Sequence, residues 1–334
     1  MHRLFYITDE SMIGHIRRET KDFCNQHNCN TIKEDVAIVV TELASNALKH
    51  AKDGSIIIKE ILGSKYTGIE IIYMDKGPGF DTEKVVQDGF STAGSLGVGL
   101  GSIQRLSDEC HFYSHIGKGT CIVCRLFEKS KQKSVIDKYI NPETFSYSHI
   151  CVPIVTESYC GDDVAVHITK EYALAMVVDG LGHGEFAHQA AIMARDIFFE
   201  NTDSDPEDII ASIDNALYST RGAACSIAKI IPSHNKVIYT GVGNISGAIV
   251  GQKRINMVSH NGTLGMRNNK IQTFTYPWNK YDMLIMHSDG ISAKWSLDEY
   301  PDIAHKDLSI INAVIFRDYH RPKDDASLLV LKEV

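Results

Sequence analysis

A chain of 334 residues has room for two domains of ordinary size. It is 43% hydrophobic and 23% charged, and 42 acidic against 34 basic side chains leave a net charge of -8, the balance of a globular protein in water. That acidic excess argues against nucleic acid as the main partner, because phosphate binding needs a positive surface. The N-terminal stretch MHRLFYITDESMIGHIRRET lacks the apolar core and small-residue cleavage site of a signal peptide. No apolar run reaches the roughly 18 residues of a spanning helix, so the chain reads as cytoplasmic. Eight cysteines follow no framework and read as reduced thiols. Cys121 and Cys124 form a CxxC, but inside a strand their side chains point to opposite faces and do not share a metal.

In chain order, Thr31 with Glu34 reads as a capping box opening a helix, and Val36, Val39, Val40, Leu43, Ala47 and Leu48 recur at helical spacing. Residues 55–62 and 68–74 are β-branched runs joined by a glycine-containing turn, so they read as paired strands. A glycine-rich stretch from Gly77 to Gly101 follows, then strands around 111–115 and 120–126. The composition changes at about Glu128, and residues 129–145 read as a charged, then polar, linker. Beyond it the chain is strand-rich, with helices expected over 185–201 and 206–218.

Three segments of the first half carry nucleotide chemistry. Glu42, Asn46 and His50 stand at i, i+4 and i+8, on one helix face. A carboxylate and an amide one turn apart suit water activation and Mg²⁺ coordination. Asp75-Lys-Gly77-Pro-Gly79 follows an apolar strand, where a carboxylate can accept from an exocyclic amine and glycines let a base approach. Thr92, Gly97, Gly99, Leu100 and Gly101 belong to a glycine-rich run before a helix, whose free amides can cradle phosphates.

ELxxNAxKHA, DxGxG, GxGLG and GKGT at 117–120, in this order, resemble the boxes of the Bergerat ATP-binding fold. The run GLGSIQRLSDECHFYSHIGKGT resembles the RsbT-like anti-sigma kinases most specifically. The resemblance implies an α/β two-layer sandwich with a mixed, mostly antiparallel sheet over residues 1–128. It implies ATP with Mg²⁺, Glu42 as general base, Asn46 on the magnesium, Asp75 on adenine supported by Thr120, and Gly97, Gly99 and Gly101 in a phosphate lid. Lys49 would add positive charge or simply be solvated, and His50 completes the helix face.

The second half holds CGDD at 160–163, VVDGLGHG at 177–184, HSDG at 287–290 and DDAS at 324–327, mostly beside apolar strand-like runs. Aspartates gathered in a small volume repel one another unless hard cations sit between them. The set resembles the metal-dependent PPM-type phosphatases in their RsbX/SpoIIE-like branch, with GVGNISGAI, NGTLG and LIMHSDGI in the expected order. The resemblance implies an α-β-β-α four-layer sandwich over residues 146–334 and two Mn²⁺ or Mg²⁺ ions. Asp179 would bridge them, the Gly180 carbonyl, Asp289 and Asp324 would be further ligands, and Asp162 would bind a metal or support a water. Asp325 competes with Asp324 for its place. His183 would assist the leaving group or cap the next helix.

On an α/β (α+β) chain, the two resemblances together imply a bifunctional protein serine/threonine kinase and phosphatase. Its substrate would be a STAS-domain protein, in a partner-switching system that controls a sigma factor. The alternative is a phosphatase whose ATP-binding domain is a nucleotide sensor or a sigma- or partner-binding module.

Overall fold

The computed structural model describes residues 2–51, 53–63, 66–80, 96–128, 144–266 and 269–334. They form two compact units. One takes Met1–Asn141 together with Leu297–Arg317, the other Pro142–Ser296 with Asp318–Val334. Thr92 and most of the expected linker lie outside the described residues.

In the first unit, β1 (His2–Ile7) leads into α1 (Glu10–Gln26) and α2 (Lys33–His50), followed by β2 (Gly54–Gly63), β3 (Tyr66–Asp75), α3 (Leu96–Leu106), β4 (Glu109–Ser114) and β5 (Thr120–Phe127). The strands lie in the order β1-β2-β3-β5-β4. Every pairing among the described residues is antiparallel, so the sheet is not mixed as expected. β1 and α1 were not foreseen. α1 is capped by Asp9, whose carboxylate accepts from the Ser11 amide, and it buries Ile16, Thr20 and Phe23. α2 buries Val36, Val39, Val40, Leu43, Ala44 and Ala47 against one face of the sheet, the helical period read from the sequence. Its start differs from the expected capping box. Ile32 stands at the N-cap without a side-chain bond, and the Thr31 amide donates to the Glu128 carboxylate instead.

The other face of this sheet is also buried, and among apolar residues such as Ile57, Ile72, Val123 and Phe127 it carries one row of charges. Lys59, Glu70, Arg125 and Glu109 are direct cross-strand neighbours on β2, β3, β5 and β4, a rung of alternating charge. Glu70 sits between Lys59 (2.8 Å) and Arg125 (2.6 Å). Arg125 also forks onto Asp307, at 3.0 and 2.8 Å, and Ser309 Oγ donates to Glu70. Cys124 on this sheet faces Cys110, while Cys121 faces Arg317, so the two thiols point to different neighbours.

The second unit stacks two antiparallel five-stranded sheets. The first holds β7 (Asp162–Ile168), β8 (Ala173–Gly180), β9 (Ala223–Ile231), β10 (Lys236–Val242) and β13 (Thr273–Pro277), in the order β13-β10-β9-β8-β7. The second holds β6 (Phe145–Val152), β11 (Ser246–Val250), β12 (Arg254–Met257), β14 (Met283–His287) and β15 (Ala326–Glu333), in the order β12-β11-β14-β15-β6. Inward residues of both, among them Val177, Ala228, Tyr239, Leu284, Met286 and Leu329, form one core. The helices α4 (Glu185–Glu200) and α5 (Pro206–Ala216), close to their expected ranges, cover the first sheet through Ala190, Ala194, Phe198, Ile209 and Ile213. The last helix, α6 (Leu308–Tyr319), falls with the first unit up to Arg317. Phe145, read as the end of the linker, opens β6.

Candidate nucleotide site and carboxylate centre

In the first unit the three motif segments converge. Gly99 on α3 packs so closely on α2 that an added Cβ would lie 3.2 Å from Glu42 Oε2 and 3.4 Å from Asn46 Nδ2. The N-terminal turns of α3, which include Gly97, therefore face the carboxylate and the amide of α2. Asp75 closes β3 directly opposite Thr120 on β5. Its Oδ1 accepts from the amides of Gly77 (2.7 Å) and Thr120 (3.2 Å). Burial raises the Asp75 pKa against these hydrogen bonds. Gly77 lies against the His50 carbonyl, which joins this loop to the end of α2. Gly79 has φ +65°, and a Cβ there would lie 2.0 Å from the His115 carbonyl, so only glycine fits. Leu100 packs into the core at 3% exposure, which leaves only its backbone for a ligand. Lys49 is exposed on the last turn of α2. Gly101 lies near Arg105.

In the second unit the four aspartate motifs meet at one end of the sheets. Asp162 and Asp179 are cross-strand neighbours on β7 and β8. Burial raises the pKa of Asp179, and Asp162, Asp289, Asp324 and Asp325 push it higher. Burial also raises Asp162, with Asp325 and Asp289 adding to it against the hydroxyls of Ser288 and Ser327. Asp163, one residue on, turns the other way and pairs with Arg195 on α4 at 3.0 Å. Gly180 lies under the start of α4, where a Cβ would stand 2.2 Å from the Ala187 carbonyl.

The pair Asp324 and Asp325 divides the work. Asp325 is 3% exposed and its two oxygens accept from the amides of Ile154 (2.7 Å) and Gly161 (2.8 Å), pinning the loop before β7. Asp324 is exposed and spends one oxygen on the Asp325 amide. Asp325→Ala therefore strands two amides and is expected to cost about 1–3 kcal/mol in metal-free thermal unfolding, while Asp324→Ala costs nothing there.

Two supporting residues escaped the sequence reading. Asn244 Nδ2 donates to Asp289 Oδ2 at 2.7 Å, from inside the GVGN run. Glu157 pairs with His183 Nδ1 at 2.7 Å. His183 does not cap α4: the N-cap is Gly184, without a side-chain bond. Behind Asp289, His287 accepts from Trp295 Nε1 at 3.0 Å and meets the Ser288 carbonyl at 2.8 Å. Burial pushes the His287 pKa down to about 4, so this imidazole is neutral and fixed from both sides.

Among the described residues no three His, Cys, Asp or Glu side chains form a ready-made metal shell. The donors nonetheless suit a hard divalent cation. All are oxygens, neighbouring carboxylates help to raise the pKa of Asp162 and Asp179, and Asp162 Oδ2 is buried without a hydrogen-bond partner.

Each of the two centres lies in a part of the chain that matches a family model. Residues 8–126 match the histidine kinase-like ATPase domain, and residues 169–333 match the stage II sporulation protein E (SpoIIE) family. The chain is 42% identical over 86 residues to the serine/threonine-protein kinase RsbT of Bacillus subtilis, covering 25% of this chain and 65% of that one, just under two thirds of its length. It is 28% identical over 138 residues to the phosphoserine phosphatase RsbX of the same organism, covering 41% of this chain and 69% of that one. Among solved structures, a chain of the bacterial stressosome aligns with TM-score 0.53 at 23% identity, over 57% of this chain and all of that one. RsbX in complex with magnesium aligns with TM-score 0.51 at 23% identity, over 58% of this chain and 98% of that one. These likenesses show the fold. The chain thus joins an RsbT-like ATPase domain to an RsbX-like, PP2C-type phosphatase domain. Among the described residues no helix is long and apolar enough to cross a membrane.

Proposed function

We propose that residues 1–128 are a protein serine/threonine kinase and residues 146–334 a phosphatase for the same protein hydroxyl. The substrate is a STAS-domain protein whose phosphorylation state governs a sigma-factor switch. The observation that carries this reading is the approach of Gly99 to Glu42 and Asn46 in one unit, with a separate aspartate cluster in the other. RsbT is named a kinase and RsbX a phosphoserine phosphatase, and an opposed pair on one chain works at high effective concentration on one partner.

In the kinase direction Glu42 takes the proton of the attacking hydroxyl, and the P–O bond to ADP breaks as the new one forms. Asn46 would hold Mg²⁺, Asp75 would accept from the adenine amine, and the α3 amides would face the phosphates. In the phosphatase direction Asp179, Asp289, Asp324 and the Gly180 carbonyl would hold a pair of Mn²⁺ or Mg²⁺ ions, with Asp162 behind them. When bound, the pair would neutralise phosphoryl charge and lower the pKa of a water. His183, oriented by Glu157, gives its proton to the departing serine oxygen.

The test is incubation with a STAS-domain protein and ATP-Mg²⁺, then with Mn²⁺ alone, following phosphate on the partner. Failure to gain or to lose phosphate would sink the shared-substrate reading. Glu42→Ala is expected to cut phosphate transfer about 10²–10⁴-fold while nucleotide still binds. An unchanged transfer rate would remove Glu42 from its role.

A further inference from the structure

The unit that carries the nucleotide residues is completed by chain from far beyond it, Leu297–Arg317. This segment is firmly seated. Tyr113 Oη donates to the Pro301 carbonyl at 3.1 Å, Lys118 lies over the Tyr300 ring at 5.4 Å, and Arg125 forks onto Asp307. Within α6, every residue from Leu308 to Arg317 is buried.

Arg317 ends that run at 9% exposure. Its Nη1 reaches the backbone carbonyl of Asp75 at 3.5 Å and Cys121 Sγ at 3.6 Å. A buried guanidinium therefore rests on the main chain of the carboxylate placed to read adenine. That carbonyl is also closely packed by the turn at Gly119, where a Cβ would stand 2.1 Å from it. Little room remains for Asp75 to shift without moving Arg317. A few residues later, Arg321 Nη1 donates to the Asp289 carbonyl at 3.1 Å, and Asp324 follows. One short stretch of chain thus bears the cation on Asp75 and a carboxylate of the phosphatase cluster.

We infer that Arg317 is a positioning residue for Asp75, and that through it nucleotide binding and metal binding at the aspartate cluster are linked. The inference rests on the nucleotide reading above. Linkage is reciprocal, so metal at the cluster changes nucleotide affinity by the factor with which nucleotide changes metal affinity, typically about 5–150-fold. The phosphatase would then sense whether its neighbour holds nucleotide.

The experiment titrates a fluorescent ADP analogue into the full chain at fixed Mn²⁺. The chains compared are the unsubstituted one, Arg317→Ala, Arg317→Lys, Asp179→Asn and the double variant Arg317→Ala/Asp179→Asn, with circular dichroism as a check of folding. Arg317→Ala is expected to weaken binding about tenfold, the loss of one charge-assisted bond, and Arg317→Lys to restore part of it. Asp179→Asn is expected to change affinity in the parent but not in the Arg317→Ala background, a non-additive cycle. Affinity lost in Asp75→Asn yet unchanged in both Arg317 variants overturns the inference and leaves the nucleotide reading standing. An additive cycle overturns the linkage. No binding by the unsubstituted chain overturns both. Should Arg317→Ala fail to fold, the cycle is built on Arg317→Lys instead, where additivity again overturns the linkage.

Discussion

Asp179→Asn is expected to abolish Mn²⁺-dependent hydrolysis of a phosphoserine substrate, by about a thousandfold or more, as ~4 kcal/mol of charge stabilisation disappears. The same change is expected not to harm the metal-free fold, and this contrast makes the prediction sharp. Burial and the neighbouring Asp162, Asp289 and Asp324 hold the Asp179 pKa above its ordinary 3.8. The folded state therefore keeps a proton that the unfolded state has released. Metal-free stability falls as pH rises from about 3.8 towards the raised folded value, and the loss is complete above it. Asparagine cannot ionise and escapes that loss, so metal-free Asp179→Asn melts at or above the parent temperature near pH 8. Manganese at a hundred times its dissociation constant stabilises the parent by about 2.7 kcal/mol, a rise of about 5–10 °C in the phosphatase transition. The variant shows no such rise. Thermal melts at pH 6 and pH 8, with and without Mn²⁺, check every sign. A variant that melts early without metal would mean that Asp179 holds the fold rather than a cation.

The reach of the sequence differs from residue to residue for physical reasons. Glu42, Asn46 and His50 share a helix face, and helical period alone brings them into line. The aspartate motifs were visible because Asp-Gly at the end of an apolar strand is a local pattern, and β7 and β8 do set Asp162 beside Asp179. The pairing of Asp75 with Thr120 depends on the register of β3 on β5, which no local pattern specifies. Asn244 and Glu157 act from loops, where spacing carries no signal, although Asn244 sits in a run already singled out. The capping box at Thr31 fails because Glu128, distant in sequence, supplies the acceptor. Least legible was the role of Leu297–Arg317. No local pattern ties it to the first half, and the charges that receive it, Glu70 on β3 and Arg125 on β5, are single residues on different strands.

Those charges lead to the second large effect. Glu70→Ala is expected to destabilise the first unit by about 3–5 kcal/mol, because it leaves Lys59 and Arg125 buried without their shared partner. Burial alone would raise the Glu70 pKa, but Lys59 and Arg125 override it and hold the carboxyl at about 2 against an ordinary 4.5. A depressed carboxyl stabilises the fold fully above the unfolded pKa and loses that contribution as pH falls through the folded one. By linkage this amounts to about 3 kcal/mol at pH 7 and about 1 kcal/mol at pH 3. Urea unfolding of the parent and Glu70→Gln at the two pH values is expected to show the gap between them narrowing in acid. The rung itself is not indispensable to stability. Replacing Lys59, Glu70 and Arg125 together by apolar residues of similar size removes three desolvation costs at once. Such replacements of buried ion pairs are often neutral or stabilising by about 1–4 kcal/mol. Here Arg125 also holds Asp307, so the triple variant is expected to keep the sheet folded while loosening Leu297–Arg317. Hydrogen exchange that speeds up in α6 but not in β3 would show that the alternating charges serve to seat this segment on the sheet.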